Sequence, residues 1–256
     1  MLHLMKSEFI KLRTLRSTLT ATFVLIAFPI AVTVLSAMFA KSPGETMVIE
    51  VLTNTGTVSM LLCGVLGVFA IAQEYSQGTI RITFAATPMR MKVFAAKAIV
   101  ISLWVAISVA VLEGVGLIGA NYALDSRGFD FGVIYNPSIF DNSSGHGDSA
   151  WQVLFAFGVV CILFALVGFA LGALLRSSPG AIATLILVPL LVEGIVTGLL
   201  IAAFDIDISR KTPFTAAIRA VQVEPDAARW GLVGYFSLWC LVITVIAALL
   251  MKRRDA

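Results

Sequence analysis

Residues 52–72 (LTNTGTVSMLLCGVLGVFAIA) and residues 98–122 (AIVISLWVAISVAVLEGVGLIGANY) are two apolar runs that decide the fold. A bilayer core about 30 Å thick needs about 20 apolar residues per helix, and each run meets that length. Between them, Glu74 to Lys97 (EYSQGTIRITFAATPMRMKVFAAK) is polar and carries more basic than acidic residues. The pattern indicates two membrane-spanning helices joined on one side of the membrane by a polar connection.

The composition of the whole chain agrees with this interpretation. Mean hydropathy is +0.97 and only 13% of residues are charged, whereas soluble domains have about 25%. We therefore predict an all-α polytopic membrane protein in which residues 1–256 form a single transmembrane domain. The apolar run nearest the N-terminus, residues 19–40, follows basic residues but is too long for the apolar part of a signal peptide, so we expect it to be retained as a span. The six predicted spans are residues 19–40, 52–72, 98–122, 151–175, 181–204 and 231–251.

Lysine and arginine residues set the predicted orientation. Cytosolic loops carry an excess of Lys and Arg, and an N-terminus in the cytosol puts 12 of the 18 basic residues on the cytosolic side. This predicts six spans with both termini cytosolic. The net charge of +3 follows from the same bias, so no nucleic-acid partner is expected. The twelve residues are Lys6, Lys11, Arg13, Arg16, Arg81, Arg90, Lys92, Lys97, Arg176, Lys252, Arg253 and Arg254.

The segment before the first span has apolar residues near helical spacing. They are Leu2, Met5, Phe9, Leu12 and Leu15, and basic residues lie largely off this stripe. This spacing predicts an amphipathic helix on the inner leaflet, although an ordinary basic flank is the alternative. The residues assigned to this interfacial helix are Lys6, Phe9, Lys11, Leu12, Arg13 and Arg16.

A second short helix is predicted before the sixth span. Thr212 is a candidate N-cap, Pro213 suits the first helical position, and apolar residues recur from Phe214 to Val221 at helical spacing. We expect an external or re-entrant helix here.

The sequence lacks the groups that most membrane enzymes need. There is no GxxxxGK[ST] phosphate loop, so any use of ATP must come from a partner. His3 and His146 both lie outside the predicted spans, which argues against a Ser-His dyad or a histidine-bound metal at membrane depth. We predict no catalytic residue, no metal site and no cofactor bound by this chain.

Two acidic residues, Glu113 and Glu193, lie inside predicted spans. A carboxylate in the bilayer is costly, so each should face protein or water. One interpretation places Glu113, Glu193 and Thr197 on a translocation path. The other is that each carboxyl is protonated and bonded to a neighbouring helix, with Thr197 as an available partner of Glu193. Separately, the GxxxG pairs Gly168/Gly172 and Gly194/Gly198 indicate where helices approach closely.

Four motifs together resemble the type 2 family of ABC exporter permeases. They are Ser7 to Arg13 (SEFIKLR), Glu74 to Arg81 (EYSQGTIR), Pro88 to Arg90 (PMR), and Thr212 to Phe214 (TPF). Their order and spacing against six spans carry the resemblance, which covers essentially the whole chain.

The resemblance implies a permease whose cytosolic loop between spans 2 and 3 forms a coupling helix that docks on a separate ATPase subunit. It further implies a second permease copy, ATP and Mg on the ATPase, and a bacterial-type plasma (inner) membrane. The docking residues carried over are Glu74, Gly78, Thr79, Ile80, Arg81, Phe84, Pro88 and Arg90. Ile80 and Phe84 would offer an apolar face, and Arg81 and Arg90 would meet acidic residues of the partner.

We therefore expect the permease subunit of an ATP-driven exporter of a lipophilic or amphipathic compound, such as a drug, a peptide antibiotic or a lipid. Three alternatives remain at this point. They are an ATPase-associated immunity or signalling subunit, a membrane-embedded enzyme, and a proton-driven secondary transporter that uses Glu113 and Glu193.

Overall fold

The protein is an assembly of helices. The structure, a computed structural model, describes residues 2–40, 51–52, 55–80, 83, 89–125, 150–205, 208, 211–222 and 228–253. These residues form helices and short connections, with no strand among them. Six helices are long and apolar enough to cross a membrane. The prediction of an all-α polytopic membrane protein with six spans is confirmed.

One short helix precedes the spans and another lies between spans 5 and 6. Span 3 begins at Arg90 rather than at residue 98, and its 36 residues extend about 54 Å, further than a bilayer core is thick. The elements are α1 (Leu2–Thr14), α2 (Arg16–Phe39, span 1), α3 (Gly56–Ser76, span 2), α4 (Arg90–Asp125, span 3), α5 (Ala150–Leu175, span 4), α6 (Ser178–Leu187) and α7 (Glu193–Phe204), which form span 5 with the π-helical turn Val188–Val192, then α8 (Pro213–Ala220) and α9 (Arg229–Arg253, span 6).

Spans 2 and 4 form the centre of the bundle. A Cβ on Gly67 would lie 1.9 Å from the carbonyl oxygen of Ala165, and one on Gly168 would lie 1.9 Å from the carbonyl oxygen of Gly64. Only glycine lets two backbones approach this closely. The close approach expected at Gly168 is therefore present, and it is made within the chain.

Span 5 is the most exposed of the six spans. It contains Gly194 and Gly198, and a Cβ on either would have no atom within 4 Å, so the close approach expected there is not made within the described residues. Its helix widens into a π-helical turn around Pro189, where the Glu193 N–H donates to the Val188 carbonyl. Proline removes a helical hydrogen bond, and the wider turn accommodates that loss.

The spans alternate in direction, so their ends define two faces. We call the face that carries α1, Ser76, Arg90, Arg176 and Arg253 the terminal face. The opposite face carries α8.

Candidate functional site

Helix α1 is fixed to the spans on the terminal face. Leu12 is buried in the main core cluster and Met5 packs against it. Phe9 is partly exposed, but its ring meets the Trp104 ring of span 3 edge-on, with 5.6 Å between centroids. The apolar stripe predicted for this helix therefore faces the protein at Met5, Phe9 and Leu12.

Four charged side chains meet where α1, span 2 and span 3 converge. Lys97 Nζ donates to Glu8 Oε2 at 2.6 Å and to Glu74 Oε1 at 2.7 Å. Lys11 Nζ donates to Glu8 Oε1 at 3.1 Å and to Glu74 Oε1 at 2.9 Å. We call Glu8, Lys11, Glu74 and Lys97 the terminal ion-pair cluster. Its two carboxylates and two ammonium groups balance in charge.

The inner half of this cluster is shielded from solvent. Lys97 is 3% exposed and Glu8 is 4% exposed. A buried charge is tolerated only when it is paired and hydrogen-bonded, so each of these groups depends on the other. The pair joins α1 to span 3 across most of the first hundred residues of the chain.

Lys11 forms the outer half of the cluster and lies outside the spans. Its partial burial acts to lower the pKa of its ammonium group, but the hydrogen bond and charge of Glu74 and the charge of Glu8 outweigh burial. The pKa of Lys11 is therefore raised above its usual value, and the group stays charged at physiological pH. Stability that it contributes is present below its unfolded pKa and is lost only as the pH rises through the folded pKa.

Further polar contacts join the spans near the terminal face. Gln73 Nε2 donates to Ser17 Oγ at 2.8 Å, which joins span 2 to span 1. Trp104 Nε1 donates to Thr22 Oγ1 at 3.0 Å, which joins span 3 to span 1. The Arg176 guanidinium lies 5.1 Å from the centre of the Tyr75 ring, a cation–π contact between the end of span 2 and the connection that follows span 4.

The predicted docking residues occupy different environments. Glu74 belongs to the ion-pair cluster, and Arg90 is the first residue of span 3. Gly78 has a φ of +69°, a left-handed conformation that favours glycine and ends span 2. Thr79 is exposed, but Ile80 is buried within the chain, so its side chain is not presented as the apolar face we expected. Arg81, Phe84 and Pro88 lie outside the described residues.

The basic residues predicted for α1 divide by position. Lys6 and Arg13 are exposed, and Arg16 is exposed at the first residue of span 1. Lys11 instead turns toward the two carboxylates. Three of the four basic side chains therefore remain free to meet lipid headgroups or a partner surface.

On the opposite face, Glu193 accepts hydrogen bonds from the first turn of α8. Its Oε1 accepts from the Phe214 N–H at 3.0 Å, and its Oε2 accepts from the Thr215 N–H and hydroxyl, both at 2.9 Å. Pro213 has no N–H to satisfy, and Ala216 N bonds to the Thr212 carbonyl at 3.0 Å. Glu193 thus caps the first turn of α8. The Thr212 side chain occupies the N-cap position but makes no capping bond.

The other end of α8 is held by Arg229, which is 2% exposed. Its Nη1 donates to the Ala220 carbonyl and, at 2.9 Å, to the Gln222 carbonyl. The Tyr235 hydroxyl donates to the Lys211 carbonyl at 2.6 Å, just before the helix. The ring of Phe214 in α8 packs with the rings of Phe164 in span 4 and Phe236 in span 6, with centroids 5.2 to 5.7 Å apart.

The three residues predicted for a translocation path are not brought together by hydrogen bonds among the described residues. Glu193 is committed to Phe214 and Thr215 of α8, and Thr197 does not donate to it. Glu113 is half-buried in span 3, and its Oε1 is shielded from solvent with no hydrogen-bond partner in the described part of the chain. The bonded-helix interpretation thus describes Glu193, with α8 rather than Thr197 as its partner.

Sequence reasoning missed the roles of Glu8 and Lys97. Both carried a usable signal. Glu8 lies on the stripe that includes Met5 and Leu12, and a carboxylate on the buried face of an amphipathic helix requires a cation. Lys97 lies a full two turns inside span 3, between Phe94 and Val100, which are buried.

A known protein family matches much of this chain. The family model described as "ABC-2 family transporter protein" matches residues 4–136, more than half of the 256 residues, from α1 through span 3 and beyond. The chain matches no curated protein. Among the described residues, no three His, Cys, Asp or Glu side chains form a group able to hold a metal ion.

Proposed function

This chain belongs to the ABC-2 family of transporter proteins, and we propose that it is the permease subunit of an exporter driven by ATP hydrolysis in a separate partner subunit. The family and the six spans make the chain a membrane component of transport. The power source, the orientation and the cargo belong to the proposal.

The proposed orientation puts the terminal face in the cytosol. Lys6, Arg13, Arg16 and Lys92 are exposed on or beside this face, and Lys252 and Arg253 end span 6 there. An excess of Lys and Arg favours the cytosolic side of a bilayer. The ATPase then meets the connection between spans 2 and 3, and the complex lies in a bacterial-type plasma membrane.

The terminal ion-pair cluster is the observation that carries the proposal. Glu74 lies just before the connection that begins at Gln77, and Lys97 lies about two turns into span 3, which begins at Arg90. Glu8 adds α1 to the same bonded unit. A force applied to the connection by an ATPase would therefore move α1 and spans 2 and 3 together rather than bend a loose loop.

The lack of an ATP-binding motif supports a separate ATPase. A membrane chain without a phosphate loop must receive any energy of ATP hydrolysis through contact with another subunit. We propose that this contact is made by Gly78 and Thr79, which are exposed, together with Arg81, Phe84, Pro88 and Arg90. ATP and Mg would be held by the partner.

The working unit we propose contains two permease copies with the cargo passing between them. Span 5 exposes a nearly continuous apolar surface, and the spans contain few ionisable groups. This favours a lipophilic or amphipathic cargo over a small ion.

The test first searches the neighbouring reading frames for an ATPase with Walker A, signature and Walker B motifs, and then co-expresses that ATPase with the full chain. We expect the two subunits to co-purify, and inverted vesicles to accumulate an amphipathic fluorescent dye only with ATP. Accumulation that persists without nucleotide and collapses with the proton gradient would instead support the secondary transporter. A stable complex that hydrolyses ATP without moving any dye would support the immunity or signalling subunit.

A further inference from the structure

The π-helical turn Val188–Val192 divides span 5 into two halves. Pro189 in this turn has no N–H to donate to the carbonyl four residues earlier, so the ladder of helical hydrogen bonds is interrupted. The Glu193 N–H bonds instead to the carbonyl five residues earlier, at Val188. Prolines and π-helical turns are the usual places where helices bend, so this turn can act as a hinge.

The inner half of span 5, α6, is fixed to the bundle. Ala181 and Leu185 are fully buried, and α6 contacts spans 2 and 4. Leu185 fills the space left by Gly64 of span 2, since a Cβ on Gly64 would lie 2.5 Å from a Leu185 methyl group. Spans 2 and 4 are themselves joined by backbone contacts at Gly67 and Gly168. The inner half therefore cannot move without these two spans.

The outer half, α7, lacks such packing. Glu193 is its one buried residue, and Leu199 is 64% exposed. Within the described part of the chain, α7 makes extensive contact only with the π-helical turn that precedes it. Lipid tails are as apolar as its side chains, so the hydrophobic effect does not press α7 against the bundle.

Polar contacts at its first residue tie α7 to the rest of the chain. The Glu193 carboxylate accepts the Phe214 N–H at 3.0 Å, and the Thr215 N–H and hydroxyl at 2.9 Å. We call these three hydrogen bonds the Glu193 latch. A carboxylate inside a bilayer needs such partners, because lipid offers it none. The latch therefore holds the start of α7 to the first turn of α8, which Arg229 of span 6 holds at its other end.

The length of α7 amplifies any bend at the turn. Its 12 residues form about 18 Å of helix. A bend of about 20° at the turn would move the far end of α7 by about 6 Å. Its exposed side chains are apolar, so they would meet lipid before and after such a movement.

We propose that α7 is a hinged segment, with the π-helical turn as its hinge and the Glu193 latch as its tether to α8. Release of the latch lets α7 swing through the lipid and opens the outer half of the bundle laterally between α7 and α8. The inner half stays packed on spans 2 and 4. These contacts all lie within one chain, so the proposal stands or falls separately from the proposed ATPase and cargo.

The test measures distances between pairs of nitroxide labels in the full chain, reconstituted in nanodiscs, by double electron–electron resonance. Val58→Cys at the outer end of span 2 is the common reference. It is combined with Ile201→Cys in α7 as the outer pair, and with Ala183→Cys in α6 as the inner pair. All three positions are exposed. The native cysteines are buried and should take up little label, and the chain without introduced cysteines gives the background.

Glu193→Gln weakens the latch. We expect the distance distribution of the outer pair to become about twice as wide, while that of the inner pair stays unchanged. Thr215→Val removes one of the three donors and should widen the outer distribution less. Glu113→Gln is the control, because it changes another carboxyl inside a span, one whose Oε1 has no hydrogen-bond partner among the described residues. Equal widening of both pairs, or an unchanged outer pair in Glu193→Gln, would overturn the latch.

A second substitution tests the hinge. Pro189→Ala, added to Glu193→Gln, supplies the missing N–H and lets the helical hydrogen bonds continue through the turn. We expect it to return the outer distribution to nearly its wild-type width. Pro29→Ala in the same background is the control, because Pro29 lies inside the α-helix of span 1. An outer distribution that stays wide after Pro189→Ala would place the bending outside the turn and overturn the hinge.

Discussion

At the scale of single residues, Lys97 is the group on which the terminal face depends. Its ammonium group is almost fully buried and bonds to carboxylates from two other helices. Buried ion pairs add little net stability compared with a well-packed apolar replacement of both partners, but removal of one partner leaves the other charge uncompensated. The cluster is therefore sensitive to single changes and tolerant of matched double changes.

Lys97→Met should lower the free energy of unfolding by about 3 kcal/mol, because Glu8 loses its buried partner. Lys92→Met is the matched control on the same helix, since Lys92 is exposed, and its effect should stay within about 0.5 kcal/mol. Thermal unfolding of the detergent-solubilised chain measures both. Equal, small shifts of Tm would contradict the structural role of Lys97.

Glu8→Gln combined with Lys97→Met should recover much of the stability lost by either change alone. The double variant removes both charges, so no unpaired ion remains between α1 and span 3. A double-mutant cycle measured by the same unfolding transition gives the coupling energy, which we expect to exceed about 1 kcal/mol. Strictly additive losses would show that the two groups do not interact.

At the scale of elements, α8 is clamped at both ends by charges of the favourable sign. Glu193 accepts from the free N–H groups at its N-terminus, and Arg229 donates to carbonyls at its C-terminus. Helix dipoles favour negative charge at the first turn and positive charge at the last. Because Glu193 belongs to span 5 and Arg229 belongs to span 6, the position of α8 depends on the relative position of those two spans.

Glu193→Gln should loosen α8, because the neutral amide has one acceptor oxygen and turns a donor toward the helix N-terminus. We expect amide hydrogen exchange of residues 213–220 to become about tenfold faster, which corresponds to about 1.4 kcal/mol. Thr197→Val, one turn further along span 5, is the control and should not change that exchange. Loss of transport in Glu193→Gln with unchanged exchange would favour the translocation-path interpretation instead.

Gly168→Ala should prevent spans 2 and 4 from packing at their native distance, because a Cβ there would lie 1.9 Å from the Gly64 carbonyl oxygen. Gly158→Ala, on the same span, has no atom within 4 Å of the added carbon and should be tolerated. The yield of monodisperse protein after detergent extraction compares the two. Normal yield of Gly168→Ala would contradict the backbone contact between these spans.

The sequence predicted elements better than contacts. Hydropathy located all six spans, because about 20 apolar residues in a row are themselves the property that the bilayer selects. It also placed α8, since Pro213 at its first position is a local signal. The capping group of α8 was missed because Glu193 comes from another helix, and no local pattern states which distant carboxylate will reach a helix end. Glu8 on the buried face of α1 and Lys97 inside span 3 were both long-range clues, but their pairing was visible only in three dimensions.

At the scale of the whole molecule, the two faces differ in what they expose. The terminal face combines an ion-pair cluster, an amphipathic helix and basic side chains. The opposite face presents α8 over an aromatic cluster. The two faces therefore offer different surfaces to partners on the two sides of a membrane.

Cysteine labelling tests the orientation of the faces. Lys6→Cys lies on the terminal face and Lys211→Cys on the opposite face, and both positions are exposed. The native cysteines Cys63, Cys161 and Cys240 are buried, so their background labelling should be low. In intact cells, an impermeant maleimide should label only Lys211→Cys, and inverted vesicles should reverse the result. Labelling of Lys6→Cys in intact cells would invert the proposed topology.

The pairing of Lys97 also fixes an order of events during synthesis. Glu8 and Glu74 leave the ribosome before Lys97, so both carboxylates are present when span 3 enters the bilayer. A lysine placed in lipid without them would carry a cost of up to about 3 kcal/mol near the membrane centre. The direction of translation thus prepares the acceptor site before its cation arrives. A circularly permuted chain in which α1 is synthesised last would have to insert span 3 with Glu74 present but without Glu8, the buried partner of Lys97.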